Sequence, residues 1–277
     1  MTMTNEQLTA RLAKPRFPRS SRYDGRWIVD NLMGPHVLWL AEYLSEKLPL
    51  KPGMRILDLG CGKAISSIFF AKEFGVHVTA ADLWIKPHDN QKRILAAGLT
   101  DRVTPILAGA HALPFAHGSF DAIVSLDAYQ YFGTDDLYLG YIAKFLKPGG
   151  HIGIVCPGLA HEITEPPAHL TQWWEWDFCA FHSPEWWRHH WAKTGLVTVE
   201  AAEWMPDGPA LWLDWYRATL HLVKGFHHDG AVSGIAMLEA DHEQLFGFSC
   251  AVARTKGGDW ISGNALDIDE LPSGKDG

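Results

Sequence analysis

Apolar positions in the first half of the chain fall into short unbroken runs. Ile56, Leu57 and Leu59 form one, Val76, Val78 and Ala80 the next. Val103–Leu107, Phe120–Leu126 and His151–Val155 follow. Runs this short, bounded by glycine and proline, predict strands buried on both faces of a parallel sheet. Between them the spacing changes to the helical period. Ile65, Ile68 and Phe69 share one helical face, with Gly75 at the C-terminal position; Pro87 to Ala97 read as a helix closed by Gly98. Thr134 is placed to cap a further helix ending at Leu146. The pattern predicts an α/β fold.

The flanks read differently. Residues 1–22 predict a weakly ordered arm, and its basic cluster Lys14, Arg16, Arg19 and Arg22 a solvated one. Residues 23–50 predict helices, with Val37, Ala41, Leu44 and Leu48 on one face and Pro35 at a helix start. Residues 156–182 show no period, which predicts a lid or binding loop. Ser183-Pro184-Glu185 opens a helix that Gly195 ends, and Leu196–Val199 form a strand. Two helices, over 210–223 and 231–242, are expected within an insertion spanning 205–244, before a last strand at Leu245–Val252. The expected organisation is one domain over 23–254 and a frayed tail over 255–277.

The chemistry concentrates between Arg55 and Trp84. Strand, glycine loop, helix and strand follow in order, and Asp82 stands at the second strand end, where an acid can accept two ribose hydroxyl hydrogen bonds. A dinucleotide-binding dehydrogenase wants a third small residue at the helix entry, for close approach to pyrophosphate. Here Asp58 lies within the loop motif, and a carboxylate would repel that group but suits a cationic amine. Asp58-Leu59-Gly60-Cys61-Gly62, the acid at Asp82, Ser119-Phe120-Asp121-Ala122 and Leu146-Lys147-Pro148-Gly149-Gly150 resemble the ordered motifs of the class I S-adenosylmethionine-dependent methyltransferases, over about residues 50–156.

That resemblance implies a Rossmann-like seven-stranded methyltransferase sheet with helices on both faces, an N-terminal helical cover and lid insertions. It implies S-adenosylmethionine as cofactor, held by Asp58, Gly60, Cys61, Gly62, Asp82, Leu83, Ala110, His111 and Asp127. Residues 108–115 resemble a family segment whose Asp accepts the adenine amino group; Gly109 stands at that position here, so Ala110 or His111 is expected to substitute. The implied reaction is methyl transfer to a small-molecule acceptor on O, N or C. Lipid C-alkylation of the cyclopropane-synthase kind and cofactor binding without turnover are the rivals. The acceptor-site candidates are Tyr23 and Trp27 in the N-terminal helices, Tyr129 and Gln130 with Tyr131 after the fourth strand, and Trp174 and Trp176 in the lid. The tryptophan-rich lid leaves three readings open: core packing, a slot for a flat apolar acceptor, or an aromatic cage for an amine.

Composition narrows the partners. The net charge of −8 disfavours a nucleic-acid phosphate partner. No stretch approaches 18 uninterrupted apolar residues, so no membrane span is expected, and the polar start reads as no signal peptide. Four widely spaced cysteines fit neither a disulfide framework nor a zinc site, and a reducing cytoplasm is the simplest compartment. The histidine pairs lack metal-ligand spacing, so no metal is expected. Methyl transfer from a sulfonium needs chiefly alignment, and no catalytic triad is expected. The oligomeric state is left open.

Overall fold

The computed structural model describes residues 3–256 of the 277. From residue 257 onward the expected tail lies outside the described residues. In chain order the helices are α1 (Asn5–Leu12), α2 (Gly25–Asp30), α3 (Val37–Ser45), α4 (Ile65–Phe74), α5 (Pro87–Ala96), α6 (Tyr138–Ala143), α7 (Pro184–Ala192), α8 (Gly208–Thr219) and α9 (Phe226–Ala240). The strands are β1 (Arg55–Leu59), β2 (His77–Asp82), β3 (Val103–Leu107), β4 (Phe120–Leu126), β5 (Leu146–Leu159), β6 (Val197–Trp204) and β7 (Phe246–Thr255). They form one seven-stranded sheet in the order β3-β2-β1-β4-β5-β7-β6. The first five pair parallel; β7 runs antiparallel to both β5 and β6.

The sheet divides the core into two layers because successive strand residues face opposite sides. Ile56 of β1 joins Val78, Ala80, Phe69 and Leu44 on the side of α3, α4 and α5. Its neighbours Leu57 and Leu59 join Ile123, Tyr129, Ile142 and Trp187 on the side of α6 and α7. The register sets Leu59 opposite Ala81, so the loop after β1 and the acid ending β2 emerge side by side.

Several boundaries differ from the sequence reading. Residues 3–22 are not a free arm. Thr4 and Gln7 form a reciprocal capping box that starts α1, and Leu8, Leu12 and Phe17 are buried. The basic cluster is engaged: Lys14 pairs with Asp214, Arg16 with Glu46 and Arg22 with Glu73. The helix expected from Thr134 starts only at Tyr138, and β5 begins at Leu146 rather than His151. The expected lid is shorter, because β5 continues to Leu159 by pairing with β7 down to Phe246. What remains, 160–182, carries two short turns, Thr171–Trp173 and Trp176–Ala180. The frayed tail was expected from 255, yet Thr255 is buried and ends β7. No helix among the described residues is long and apolar enough to cross a membrane.

Candidate functional site

A cavity of about 550 Å³ opens at the carboxyl ends of β1, β2 and β4, where the strand order reverses between β1 and β4. Ligands of open α/β sheets sit at such a switch point. Its floor is the loop Gly60–Lys63, its sides are Asp82–Trp84, Ala108–Ala112 and Leu126–Ala128. A strap, Asn31–Pro35, joins α2 to α3 and closes it from above with Trp215 of α8.

The glycines of the floor are required by the backbone. Gly60 and Gly62 have φ of +74° and +53°, a region costly for other residues. A Cβ at Gly60 would also stand 2.5 Å from that of Ala128. The N–H groups of Gly60 and Cys61 both donate to Ala81 O, at 2.9 and 3.1 Å, and fix the loop against β2.

Asp82 knits the site together. Its Oδ2 accepts from Gly62 N at 2.8 Å, and its Oδ1 accepts from Trp84 N and Ile85 N at 2.8 and 2.9 Å. One acceptor position on Oδ2 is left, since each carboxylate oxygen offers about two. Beside it Leu83 and Trp84 are 62% and 75% exposed, an unusual display of apolar surface at a cavity rim.

The other cofactor candidates divide. Gly60, Cys61, Gly62, Asp82, Leu83, Ala110, His111 and Asp127 all line the cavity. Ala110 is held by Tyr138, whose hydroxyl donates to its carbonyl at 3.0 Å; His111 lies edge-on to the same ring at 5.1 Å. At Gly109 an added Cβ would meet only Leu83 Cδ1, at 3.7 Å, so the wall is open where the family places its Asp. Asp58 is the exception, and a correction to the sequence reading. Its side chain turns away from the cavity and is fully buried, with Oδ2 accepting from the hydroxyls of Ser66 and Ser67 at 2.6 Å each. Burial pushes its carboxyl up to about 6 against the pull of these hydroxyls. It ties the first turn of α4 to β1.

Of the seven acceptor candidates only Tyr131 lines the cavity. Tyr23 donates to Glu73 at 3.1 Å and stacks on Trp27, so both pack α2 against α4. Tyr129 is buried among Trp187, Trp191, Phe132 and Tyr138. Gln130 is fully buried with neither amide atom hydrogen-bonded. Trp174 rests on Phe178 and Phe246, at 5.5 Å each, while Trp176 points away and is 87% exposed. The reason is local. The turn Tyr129–Tyr131 after β4 sends its first two side chains down and Tyr131 outward. Tyr131 and Phe132, not Tyr129, reach the cavity.

Sequence reasoning missed the strap, Lys63 and Trp215. Lys63 Nζ donates to the carbonyls of Asp30 and Leu32, at 3.3 Å each. Trp215 Nε1 donates to Gly34 O at 3.0 Å, and Arg93 Nε to Asn31 Oδ1 at 2.7 Å. A Gly-Pro step following an amphipathic segment was the one legible sign of the strap; contacts from α8 and α5 leave no local pattern.

Among the described residues no group of three His, Cys, Asp or Glu is placed to hold a metal ion. Residues 56–150 match the family described as "Methyltransferase domain". Methyltransferase GfsG of Streptomyces halstedii is 32% identical over 116 residues, 42% of each chain. The 2-methyl-6-phytyl-1,4-hydroquinone methyltransferase of Synechocystis is 30% identical over 178 residues, covering 60% of this chain and 54% of that protein. The matches thus span about half the length of these relatives. In structure, phosphoethanolamine N-methyltransferase 2 of Haemonchus contortus superposes with a TM-score of 0.67 at 23% identity, over 90% of this chain and 60% of that one. Residues 56–150 thus match a methyltransferase domain, and the seven-stranded sheet has the fold of solved methyltransferases.

Proposed function

We propose that this chain transfers a methyl group from S-adenosylmethionine to a small-molecule acceptor and releases S-adenosylhomocysteine. The observation that carries this is the meeting of the Gly60–Gly62 loop with Asp82 on one cavity at the sheet's switch point. The residues fit the cofactor. Asp82 keeps an acceptor position for a ribose hydroxyl, Leu83 offers an apolar face for the adenine, and the loop brings bare backbone to the wall. Ala110 and His111 line the adenine side in place of the missing Asp. Bound there, the cofactor supplies an already activated methyl on a sulfonium. The chain's own task is then to hold the acceptor in line and keep water out. The relatives carry names with very different acceptors, so the cavity itself has to define this one.

Calorimetry with purified protein tests the reading. S-adenosylmethionine and S-adenosylhomocysteine are expected to bind with micromolar or better affinity, and NAD not detectably. Incubation with S-adenosylmethionine and a metabolite extract is expected to release S-adenosylhomocysteine. Absence of cofactor binding, or tight NAD binding, overturns the proposal.

A further inference from the structure

The cavity wall at residues 108–112 offers a ligand almost nothing that accepts a hydrogen bond. Ala108, Gly109, Ala110 and Ala112 carry no polar side chain, and the imidazole of His111 is the one exception. The carbonyls facing the turn are engaged by the fold: Gly109 O accepts from Ala112 N, and Ala110 O from the Tyr138 hydroxyl, at 3.0 Å each. Ala108 N donates to Asp82 O at 3.0 Å, which holds this wall beside the acid that ends β2. His111 is exposed and lies edge-on to Tyr138. A hydrogen bond to an exposed group replaces one with water, so its net contribution is small.

No polar side chain from another element makes up the deficit. Leu83 and Trp84, which flank the wall, are exposed and apolar. Of the cavity's other polar groups, Asn31 accepts from Arg93 and donates to Trp27 O, while Ser66 donates to Asp58. Asp127 belongs to the far side: it follows β4, beyond β1 from β2, and a Cβ on Gly34 would collide with its Oδ2. Neither space nor backbone demands glycine at 109. Its φ lies outside the left-handed region, and an added Cβ would meet only Leu83 Cδ1, at an ordinary contact distance of 3.7 Å. A side chain at this position would therefore stand in the cavity beside Leu83, and the chain places none there.

Resting on the methyltransferase reading above, we infer that this site does not recognise the 6-amino group of the cofactor's purine, and that Gly109 is the position that sets this permissiveness. A purine whose ribose hydroxyl reaches Asp82 and whose face lies on Leu83 turns its edge to the wall at 108–112. A site built to hydrogen-bond an N–H rejects the analogue lacking it, because a buried acceptor is then left unpaired. Here no such acceptor exists, so the amino group keeps its water and its removal costs little. The purine is held by its face and its ribose. The ligand class is accordingly wider than adenosyl compounds: it includes nucleoside thioethers and sulfoniums whose purine lacks the amino group. Ala110 and His111 border the purine without replacing a carboxylate at 109.

The test compares two ligands by calorimetry on the full-length protein. One is S-adenosylhomocysteine; the other is its 6-deamino analogue, which carries hydrogen at C6 and keeps every ring nitrogen. Wild type is expected to bind the two with dissociation constants within threefold of each other. Gly109→Asp supplies the missing acceptor, and this variant is expected to bind S-adenosylhomocysteine at least tenfold more tightly than the analogue. A melting curve checks that the variant folds. Should it not fold, Gly109→Asn supplies a neutral acceptor and is expected to show a preference of at least threefold. A preference above threefold in wild type overturns the inference; if His111→Ala then removes that preference, His111 is the group that recognises the amino. A folded Gly109→Asp variant that prefers S-adenosylhomocysteine by less than tenfold overturns it too, because position 109 then does not face the purine edge. Failure of wild type to bind either ligand overturns the methyltransferase reading itself, a distinct result.

Discussion

Gly62 donates its backbone N–H to Oδ2 of Asp82 at 2.8 Å, which joins the loop after β1 to the acid that ends β2. The same carboxylate accepts from Trp84 N and Ile85 N. Asp82 therefore shapes the cavity as well as facing it. Three backbone donors lose their acceptor when it is removed, and unmade buried hydrogen bonds cost about 1–3 kcal/mol each.

Asp82→Ala is accordingly expected to act twice. Cofactor affinity should fall about 10- to 100-fold, from roughly 1.5–3 kcal/mol of hydrogen bonds to a charged group. Thermal stability should fall as well, because the loop loses its anchor. Calorimetry and a melting curve on the same preparation check both. Unchanged affinity in a folded variant would remove Asp82 from the cofactor site.

The pH dependence of stability should carry the mark of Asp127. Its folded-state carboxyl is raised to about 7 by burial, against an ordinary value near 3.8. The fold thus favours the protonated form. That contribution is complete below about pH 3.8 and is lost as the pH rises through about 7. Asn removes the titration, keeps the shape and tolerates a left-handed backbone. Asp127→Asn should match wild type near pH 4 and exceed it by about 1–3 kcal/mol at pH 8, a range scaled from about 1.4 kcal/mol per pH unit. Denaturant curves at several pH values measure the gap; parallel profiles for the two proteins contradict it.

The tryptophans of segment 160–182 separate by packing rather than by chemistry. Trp174 lies against Phe178 and Phe246, while Trp176 stands in solvent. Trp174→Ala should cost about 1–3 kcal/mol of stability, less than a fully buried tryptophan, and Trp176→Ala within about 0.5 kcal/mol of nothing. Chemical denaturation of both variants provides the comparison. A larger loss from Trp176 than from Trp174 would contradict this packing.

The glycine loop and the acid that line the cavity were legible because their determinants are local. Gly60, Gly62 and Asp82 lie within one strand-loop-helix-strand unit, and the positive φ of each glycine is a property of its own residue. Short apolar runs gave the strands, because a parallel sheet buries both faces. The far wall of the cavity was legible only in part. Whether Tyr129 or Tyr131 faces the cavity turns on one short turn after β4. Trp215 reaches Gly34 across 181 positions, and no spacing in the sequence reports such a contact. Asp58 failed for a different reason: the serines that capture its carboxyl sit on α4, and motif position alone does not show which way a strand side chain points. The helix at the N-terminus was missed because Thr4 and Gln7 were not read as a capping box.

The strap offers the last test, because it is held by donors from three separate elements. Lys63 reaches it from the glycine loop, Arg93 from α5 and Trp215 from α8. Pro35 and Gly34 make it short, and Met33 packs against Gly62, where an added Cβ would come within 3.0 Å of its Cγ. A ligand lying on the floor of the cavity has this segment above it, so exchange requires the strap to lift. Trp215→Phe keeps the ring packing and removes only the hydrogen bond to Gly34 O. A single neutral bond contributes about 0.5–1.5 kcal/mol. The dissociation rate of S-adenosylhomocysteine should therefore rise about 2- to 10-fold, and the association rate should not fall. Stopped-flow displacement, followed by intrinsic fluorescence, gives both rates. Equal dissociation rates in wild type and variant would mean that the cofactor leaves by a path that does not involve the strap.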